Sequence, residues 1–361
     1  MRLPTYQELT PEQDAVLMLP LDRRWLVTGP PGSGKSVLAL FRAQATVGRE
    51  LEPVLLMYNK LLARYSEQGL GQLGVDVPVH TFHSWWWRFF REQWQQAPPG
   101  QDWEYDWQEI THLQLASPAA RSPDLVLLID EAQDLPAQFF LFARLLFGGL
   151  TVFADENQRI NDENCTLDEI REMLRPDDER RLTENHRNTR EIAEVAAHFY
   201  AGAETGIPAL PDREGPRPEV HLHASLQEAV ERIANLATTA RHRQIGVFVP
   251  TTRLVDEYVR GLEARDVPVA GYHSGRDIEL LDFGRPGVIV TTWASAKGLE
   301  FDMVFIAEMQ ASRGDVESVE LRMRLYVLCS RARRELYFSW TGRGVPTIAG
   351  LLPSWCREAV A

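Results

Sequence analysis

The sequence predicts an α/β protein, and three features lead to that prediction. Short apolar or β-branched runs recur along the 361 residues, stretches with helical spacing separate these runs, and 44% of the residues are hydrophobic. Continuous apolar strands separated by helices are typical of parallel sheets that are covered on both faces. We therefore expect parallel sheets flanked by helices. In chain order the runs are RRWLVTG, VLLMY, VPVHTF, LVLLID, TVFAD, EVHLHA, IGVFVP, VPVAGY, VIVTTW, MVFIAE and ELYFSW.

The apolar runs form two groups, which indicates two domains. Between the groups lies the polar, acidic stretch NDENCTLDEIREMLRPDDERR, which we interpret as a joint near residue 178. The expected domains are residues 1–178 and residues 179–361. The proline-rich segment IPALPDREGPRP, residues 207–218, is predicted to be a loop of the second domain.

Composition restricts the classes of protein that the chain can belong to. The formal net charge is −13, so a nucleic-acid partner would have to bind a local basic groove. No apolar run is long enough for a transmembrane helix, and the N-terminal MRLPTYQELTPEQ lacks the pattern of a secretory signal. The three cysteines have no CxxC spacing, which argues against a zinc site or a disulfide framework. We expect a cytoplasmic protein with no membrane partner.

Residues 29–36, GPPGSGKS, fit the phosphate-binding pattern GxxxxGK followed by Ser or Thr. The run WLVT precedes the loop and a helical pattern follows it, as this motif requires. Lys35 is one of only three lysines among 38 basic residues, so an ammonium has been kept at this position. It is expected to reach the outer phosphates, and Ser36 to ligate Mg²⁺. The predicted ATP-binding loop consists of Gly29, Pro30, Pro31, Gly32, Ser33, Gly34, Lys35 and Ser36.

A second motif, LLIDEAQD at residues 127–134, places two carboxylates at the end of a predicted strand. Ligands of open α/β sheets bind at such strand ends. Asp130 is expected to hold Mg²⁺, and Glu131 to accept a proton from the attacking water. ATP and Mg²⁺ are therefore the predicted substrate and cofactor. The alternative for these residues is a solvated acidic turn.

Three further polar residues suit phosphoryl transfer. Gln158 follows the run TVFAD, where it could sense the γ-phosphate, and Arg187 and Arg331 lie in LTENHRN and LYVLCSRARREL. Phosphoryl transfer needs cationic groups over the developing negative charge, and arginines of a second domain would supply them on closure. Taken singly, either arginine could instead be a surface salt-bridge partner.

The order of these motifs resembles that of the UvrD/Rep-like superfamily 1 DNA helicases. LTPEQDAVL is similar to their adenine-recognising Q motif, and TFHS, TTWASAKGLEFDMVF and LRMRLYVLCSRAR match others in the family's order. The resemblance implies two RecA-like P-loop NTPase domains with DNA-dependent ATPase activity. It makes Arg187 and Arg331 arginine fingers and Gln158 a coupling residue. It also implies that Gln13, His186 and Glu300 bind the nucleoside, His186 standing where the family has a stacking tyrosine.

The resemblance also implies contacts with single-stranded DNA, although the motifs do not distinguish DNA from RNA. TFTNK of the family is LMYNK here, and TIHxSKGLEF is TWASAKGLEF, which adds the ring of Trp293 and replaces a histidine by Ala294. The expected nucleic-acid-binding residues are Tyr58, Asn59, Lys60, Thr81, Phe82, His83, Thr292 and Trp293.

The chain is short for this family, because the large accessory inserts have no counterpart in it. The gap between TFHS and the DEAQD strand is residues 85–124. We expect a minimal motor that translocates on single-stranded DNA, three-prime to five-prime, with weak or partner-dependent unwinding. The alternative is an ATP-driven switch or regulatory subunit of a larger nucleic-acid-processing or defence complex. A protein partner could then supply engagement of the duplex.

At the start of this gap are three consecutive tryptophans, within HTFHSWWWRFF, residues 80–90. We predict a helix over Ser84–Gln96, in which the rings cover an arc of about 200°. Such an arc is broader than one core contact needs, so Trp87 and Trp94 at its edge could stack on bases or dock a partner. The rings expected to pack in the core or over its flank are Trp86, Phe89, Phe90, Trp103 and Trp107.

Overall fold

The computed structural model of the protein describes residues 3–155, 165–201, 207–273, 278–313 and 315–357. These residues form two compact units. One unit is made of Leu3–Gly29 and Gly34–Leu182, and the other of Pro30–Ser33 and the described residues from Thr183 onward. None of the helices in this part of the chain is long and apolar enough to span a membrane.

The first unit contains a parallel sheet and a small hairpin. Its strands are β1 (Arg24–Thr28), β2 (Glu52–Met57), β3 (Val79–Thr81), β4 (Gly100–Gln101), β5 (Glu104–Tyr105), β6 (Ser122–Ile129), β7 (Phe147–Ala154) and β8 (Asp178–Arg181). The sheet has the order β3-β2-β6-β7-β1-β8 with every neighbouring pair parallel, and β4 pairs antiparallel with β5. The helices are α1 (Pro11–Leu17), α2 (Lys35–Val47), α3 (Lys60–Gln72), α4 (Phe82–Trp94), α5 (Trp107–Ala116), α6 (Ala137–Leu146) and α7 (Leu167–Leu174).

The second unit contains another parallel sheet. Its strands are β9 (Glu219–His223), β10 (Gln244–Val249), β11 (Val269–Tyr272), β12 (Gly287–Thr292), β13 (Phe301–Ile306) and β14 (Ala332–Thr341). Their order is β11-β12-β10-β13-β14-β9, again all parallel. The helices are α8 (Arg190–Phe199), α9 (Leu226–Thr239), α10 (Thr252–Glu263), α11 (Val319–Cys329) and α12 (Ser354–Arg357). The expected α/β fold with parallel, helix-flanked sheets is confirmed.

The polar stretch that we interpreted as a joint is folded where the structure describes it. Thr166 caps α7 in a capping box, accepting a bond from the backbone N–H of Glu169 and donating its own N–H to the Glu169 carboxylate at 2.7 Å. β8 then pairs with β1 at the sheet edge, so the first sheet extends past the expected boundary at residue 178. Charged side chains on an edge strand hinder its pairing with other chains. Because such a strand has no apolar run, its sequence resembles that of a linker.

Helix α4 confirms the helix expected around the tryptophans. Trp85, Trp86, Phe89 and Phe90 are at most 7% exposed and belong to the core of the first unit. Among the other rings, the burial of some differs from our expectation. Trp94 is half-buried, with its indole N–H donating to the carbonyl of Ser117 at 2.8 Å. Trp107 packs against the core as expected, but Trp103 is 62% exposed, so its predicted role in covering the flank is wrong.

The same backbone turn follows β6 and β13. β6 runs into IDEAQ, residues 129–133, and β13 into IAEMQ, residues 306–310. Glu131 and Glu308 have φ of 52° and 56°, in the left-handed region that non-glycine residues seldom adopt, and each begins a short 3₁₀ helix. In both turns the glutamine amide donates to the glutamate carboxylate at 2.5 Å. The second unit therefore repeats the turn, with an alanine in place of the aspartate.

We expect Glu308→Gln to destabilise the protein. The Glu308 carboxylate is 2% exposed and accepts bonds from Tyr258 Oη at 2.7 Å, Gln310 Nε2 at 2.5 Å and Thr341 Oγ1 at 2.8 Å. A carboxamide would turn one acceptor into a donor, so a buried donor would lose its bond. The free energy of unfolding should fall by about 1–3 kcal/mol in urea denaturation. Glu231→Gln, at an exposed position of α9, is the control, and equal midpoints for both variants would contradict this role.

Candidate active site

The phosphate-binding loop lies between β1 and α2, as the sequence predicts. Gly34 has φ of 93° and precedes the first turn of α2, where its carbonyl accepts the backbone N–H of Leu38 at 2.9 Å. A Cβ at Gly34 would lie 2.5 Å from Nε2 of Gln13. Glycine is thus required here both by the backbone angle and by the close approach of Gln13.

Lys35 is held inside the first unit, where oxygen atoms of Gly29 and Asp155 bind its ammonium. Its side chain is 6% exposed, and its ammonium donates to the carbonyl of Gly29 at 2.6 Å and to Asp155 Oδ2 at 3.2 Å. Asp155, 1% exposed, directly follows β7, the neighbour of β1 in the sheet. We did not predict Asp155 as a site residue. The carboxylate at the end of the run TVFAD was the signal that could have revealed it.

The two expected Mg²⁺ ligands lie together in the first unit. The Ser36 side chain hydrogen-bonds with the Asp130 carboxyl group, and Asp130 is 1% exposed. The pKa of Asp130 is raised to about 6, first by burial and then by the nearby Glu131, while Ser36 and Lys35 oppose the change. A hydroxyl and a carboxylate are hard oxygen ligands of the kind that Mg²⁺ prefers, so these residues fit the ion.

Glu131 is fixed beside these ligands by Gln133. Gln133 is fully buried, donates from Nε2 to Glu131 Oε2 at 2.5 Å, and accepts the backbone N–H of Asp155 at 3.0 Å. It therefore links the turn after β6 to the end of β7. Sequence reasoning missed Gln133, although it lies inside the DEAQD motif. The predicted coupling residue Gln158 lies outside the described residues.

The residues expected at the nucleoside are found on both units. In the first unit, Gln13 is 7% exposed, and its Oε1 accepts the N–H of Thr10 at 3.1 Å within a capping box that begins α1. In the second unit, His186 is partly exposed, with Nε2 3.5 Å from the Glu184 carboxylate. The structure leaves the base-recognition roles of Gln13 and His186 as predictions.

Arg187 and Glu300, both in the second unit, bind each other. Arg187 Nε donates to Glu300 Oε2 at 2.8 Å, and its Nη1 donates to the carbonyl of Ser330 at 3.4 Å. Arg333 lies 3.5 Å from the other Glu300 oxygen. The expected arginine finger and the expected ribose ligand are thus ion-pair partners in this structure. Arg331, the second expected finger, is 1% exposed and donates from Nε to the carbonyl of Val327 at 2.9 Å.

Part of the expected nucleic-acid set lies at one edge of the first sheet. β2 and β3 are adjacent, with Met57 opposite Thr81, so the residues that follow these strands are neighbours. Tyr58 is 42% exposed after β2, and Lys60 is exposed at the start of α3. His83 follows β3 in the first turn of α4.

Three of the expected contacts accept backbone N–H bonds at the start of a helix, and two of them are its N-cap. Asn59 Oδ1 accepts the N–H of Leu62 at 2.9 Å and begins α3. Thr81 caps α4, and Thr292, ahead of the 3₁₀ helix Ala294–Ala296, accepts the N–H of Ser295 at 3.3 Å. These bonds explain why Asn or Thr occurs at these positions even when no ligand is considered.

The structure corrects the expectation for two aromatic rings. Phe82 is 1% exposed and its ring centroid lies 4.9 Å from that of Phe139 in the core of the first unit. Trp293 is 5% exposed, and its indole N–H donates to the carbonyl of Phe248 at 3.0 Å. Neither ring offers a face for stacking on a base. Both are held by packing, which a motif resemblance does not report.

The comparisons with known proteins point to helicases. Residues 287–339, from β12 into β14, match the family described as UvrD-like helicase C-terminal domain. Subunit RecB of the RecBCD enzyme from Chlamydia pneumoniae is 44% identical over 48 residues, which are 13% of this chain and 5% of RecB. The chain thus matches only a small part of that relative's length.

Two solved structures were also similar. Dbp5 of S. cerevisiae, bound to RNA and ADP BeF3, has a TM-score of 0.51 at 12% identity over 94% of this chain and 85% of its own. At that identity the likeness concerns the fold alone, which is RecA-like. The C-terminal domain of a possible DNA helicase from Lactobacillus plantarum has a TM-score of 0.36 at 22% identity, over 47% of this chain and 95% of its own. The matched C-terminal segment agrees with the order of the motifs, and both support the resemblance of the chain to the UvrD/Rep-like superfamily 1 helicases.

Proposed function

We propose that this chain is an ATP-hydrolysing motor that binds single-stranded DNA and translocates along it from three-prime to five-prime, in the cytoplasm. The observation that carries the proposal is the arrangement of Lys35, Ser36, Asp130 and Glu131 in the first unit, where all but Ser36 are buried. The match of residues 287–339 to the helicase family supports a nucleic-acid partner.

Each of these side chains has a distinct task in hydrolysis. Lys35 places its ammonium against the outer phosphates, where negative charge builds up. Ser36 and Asp130 would hold Mg²⁺, which would neutralise charge on the phosphate oxygens. Glu131 accepts the proton of the attacking water, and Gln133 keeps its carboxylate in position.

Binding of the nucleotide would change the partners of two residues in the second unit. Arg187 and Glu300 neutralise each other at 2.8 Å in a partly buried pair. Each Glu300 oxygen already has an arginine partner, Arg187 or Arg333, with which a ribose hydroxyl would compete. We infer that Arg187 moves from Glu300 to the γ-phosphate, which frees Glu300 for the ribose. A single exchange would thus couple phosphate sensing to ribose recognition.

A second candidate function is an ATP-driven switch within a larger complex, without autonomous translocation. The similarity to RecB favours it, because that relative is named as a subunit of an enzyme complex. The net charge of −13 also limits the surface that can bind nucleic acid without a partner. A partner protein would then engage the duplex.

Displacement of streptavidin from biotinylated oligonucleotides separates the two functions. A motor of the proposed polarity should release streptavidin from the 5′ end of a single-stranded DNA in the presence of ATP, and more slowly from the 3′ end. The same experiment with an RNA oligonucleotide of equal sequence tests whether the chain prefers DNA to RNA. Release that does not depend on ATP, or none while ATP is hydrolysed, would contradict translocation and favour the switch.

A further inference from the structure

The hairpin β4–β5 places a tryptophan where a glycine is usual. Asp102 and Trp103 form its two-residue turn, with φ of 49° and 72°. Positive φ at both positions is characteristic of a type I′ turn, whose preferred sequences are Asn-Gly and Asp-Gly. A large side chain in this conformation strains the backbone. The turn is therefore less stable than one with glycine at this position, and it places an indole at its tip.

The indole of Trp103 lies beside a residue of the TFHS motif. Trp103 is 62% exposed, and its ring centroid is 5.1 Å from that of His83, with 54° between the planes. Nδ1 of His83 is hydrogen-bonded to the Tyr105 hydroxyl at 2.9 Å, and burial lowers the pKa of His83. The imidazole is thus fixed by the hairpin itself and is mostly uncharged near neutral pH.

The hairpin tip contacts the edge of the first sheet that carries the expected nucleic-acid residues. Tyr58 and His83 follow the adjacent strands β2 and β3, and His83 contacts Trp103. The exposed acids Asp102 and Glu104 flank Trp103 and would repel a phosphate group. The uncharged face of a nucleobase, in contrast, suits an exposed indole.

We propose that Trp103 stacks on a base of the bound single strand and so extends the contact made by the TFHS motif. The inference rests on the proposed function, because it requires a bound single strand. Stacking of this kind tolerates any sequence, since every base presents a π face. The short hairpin would thereby give this chain one contact of its own in the gap where the family carries its first accessory insert.

Trp103→Gly is the sharpest test, because it removes the ring and creates the Asp-Gly sequence that the turn prefers. We expect the Kd for a fluorescein-labelled 20-nucleotide oligo(dT), measured by anisotropy, to rise at least about fivefold. Trp103→Phe should keep the Kd within about twofold, because a planar ring remains. Asp102→Gly is the control for the turn: it alters the backbone and keeps the indole, and its Kd should not exceed that of the unmodified chain.

The outcomes separate this inference from the proposed function. If the unmodified chain binds no oligo(dT), the proposed function fails. If it binds and Trp103→Gly binds equally well, only the role of Trp103 is refuted. An equal rise of Kd for Asp102→Gly and Trp103→Gly would also refute it, because the turn and not the ring would then be responsible. Thermal midpoints of the variants at or above that of the unmodified chain show that the hairpin remains folded.

Discussion

Replacing Glu131 with Gln is expected to lower ATP turnover by about 10²- to 10⁴-fold while the chain still binds ATP. Glu131 is 3% exposed, adjoins Asp130, and receives a bond from Gln133 Nε2 at 2.5 Å. This bond fixes the carboxylate as a proton acceptor, and a carboxamide of the same size cannot take up the proton of the water. Phosphate release measures the turnover, and a fluorescent ATP analogue measures the binding.

The control for this variant is Glu172→Gln, at an exposed position of α7. It should hydrolyse ATP at the rate of the unmodified chain. If Glu131→Gln kept that rate as well, Glu131 would not be the general base. If it lost ATP binding together with turnover, the change would act through the shape of the site instead of through proton transfer.

Lys35→Ala is expected to reduce turnover by about 10²- to 10³-fold, because the loop loses the charge that meets the outer phosphates. The same substitution affects the fold, since Lys35 is 6% exposed and lies 3.2 Å from the buried Asp155. Removing one partner of a buried ion pair lowers the free energy of unfolding by about 3–5 kcal/mol. Loss of activity in the single variant therefore has two sources.

The double variant Lys35→Ala with Asp155→Asn separates these sources. Asparagine removes the negative charge that the lysine no longer balances, so most of the lost stability should return in urea denaturation. Turnover should stay as low as in the single variant. Recovery of turnover together with stability would show that Lys35 supports the fold and does not act on the phosphates.

Much of the fold follows from short-range sequence patterns. Each of the eleven apolar runs overlaps a strand, because a strand of a covered parallel sheet buries nearly every side chain. The approach of Ser36 to Asp130 also follows from pattern, since the loop after β1 and the acid after β6 both lie at carboxyl ends of parallel strands.

Other features depend on packing that the sequence does not display. Phe82 and Trp293 are assigned to nucleic acid by motif resemblance, but the direction of each ring is decided by the core around it. The pairs Lys35–Asp155 and Arg187–Glu300 join residues 120 and 113 positions apart, respectively, and many acids could have been their partners. The turn at Trp103 has no sequence signature, because Asp-Trp is not among the preferred hairpin pairs.

Steady-state ATP turnover, measured without nucleic acid, with a saturating single-stranded oligonucleotide and with a blunt duplex of the same sequence, tests the central claim most directly. A single-strand motor should turn over slowly alone, much faster with the single strand, and with little stimulation by the duplex. Equal turnover under the three conditions would contradict it, because nucleic acid would then have no influence on the ATPase cycle.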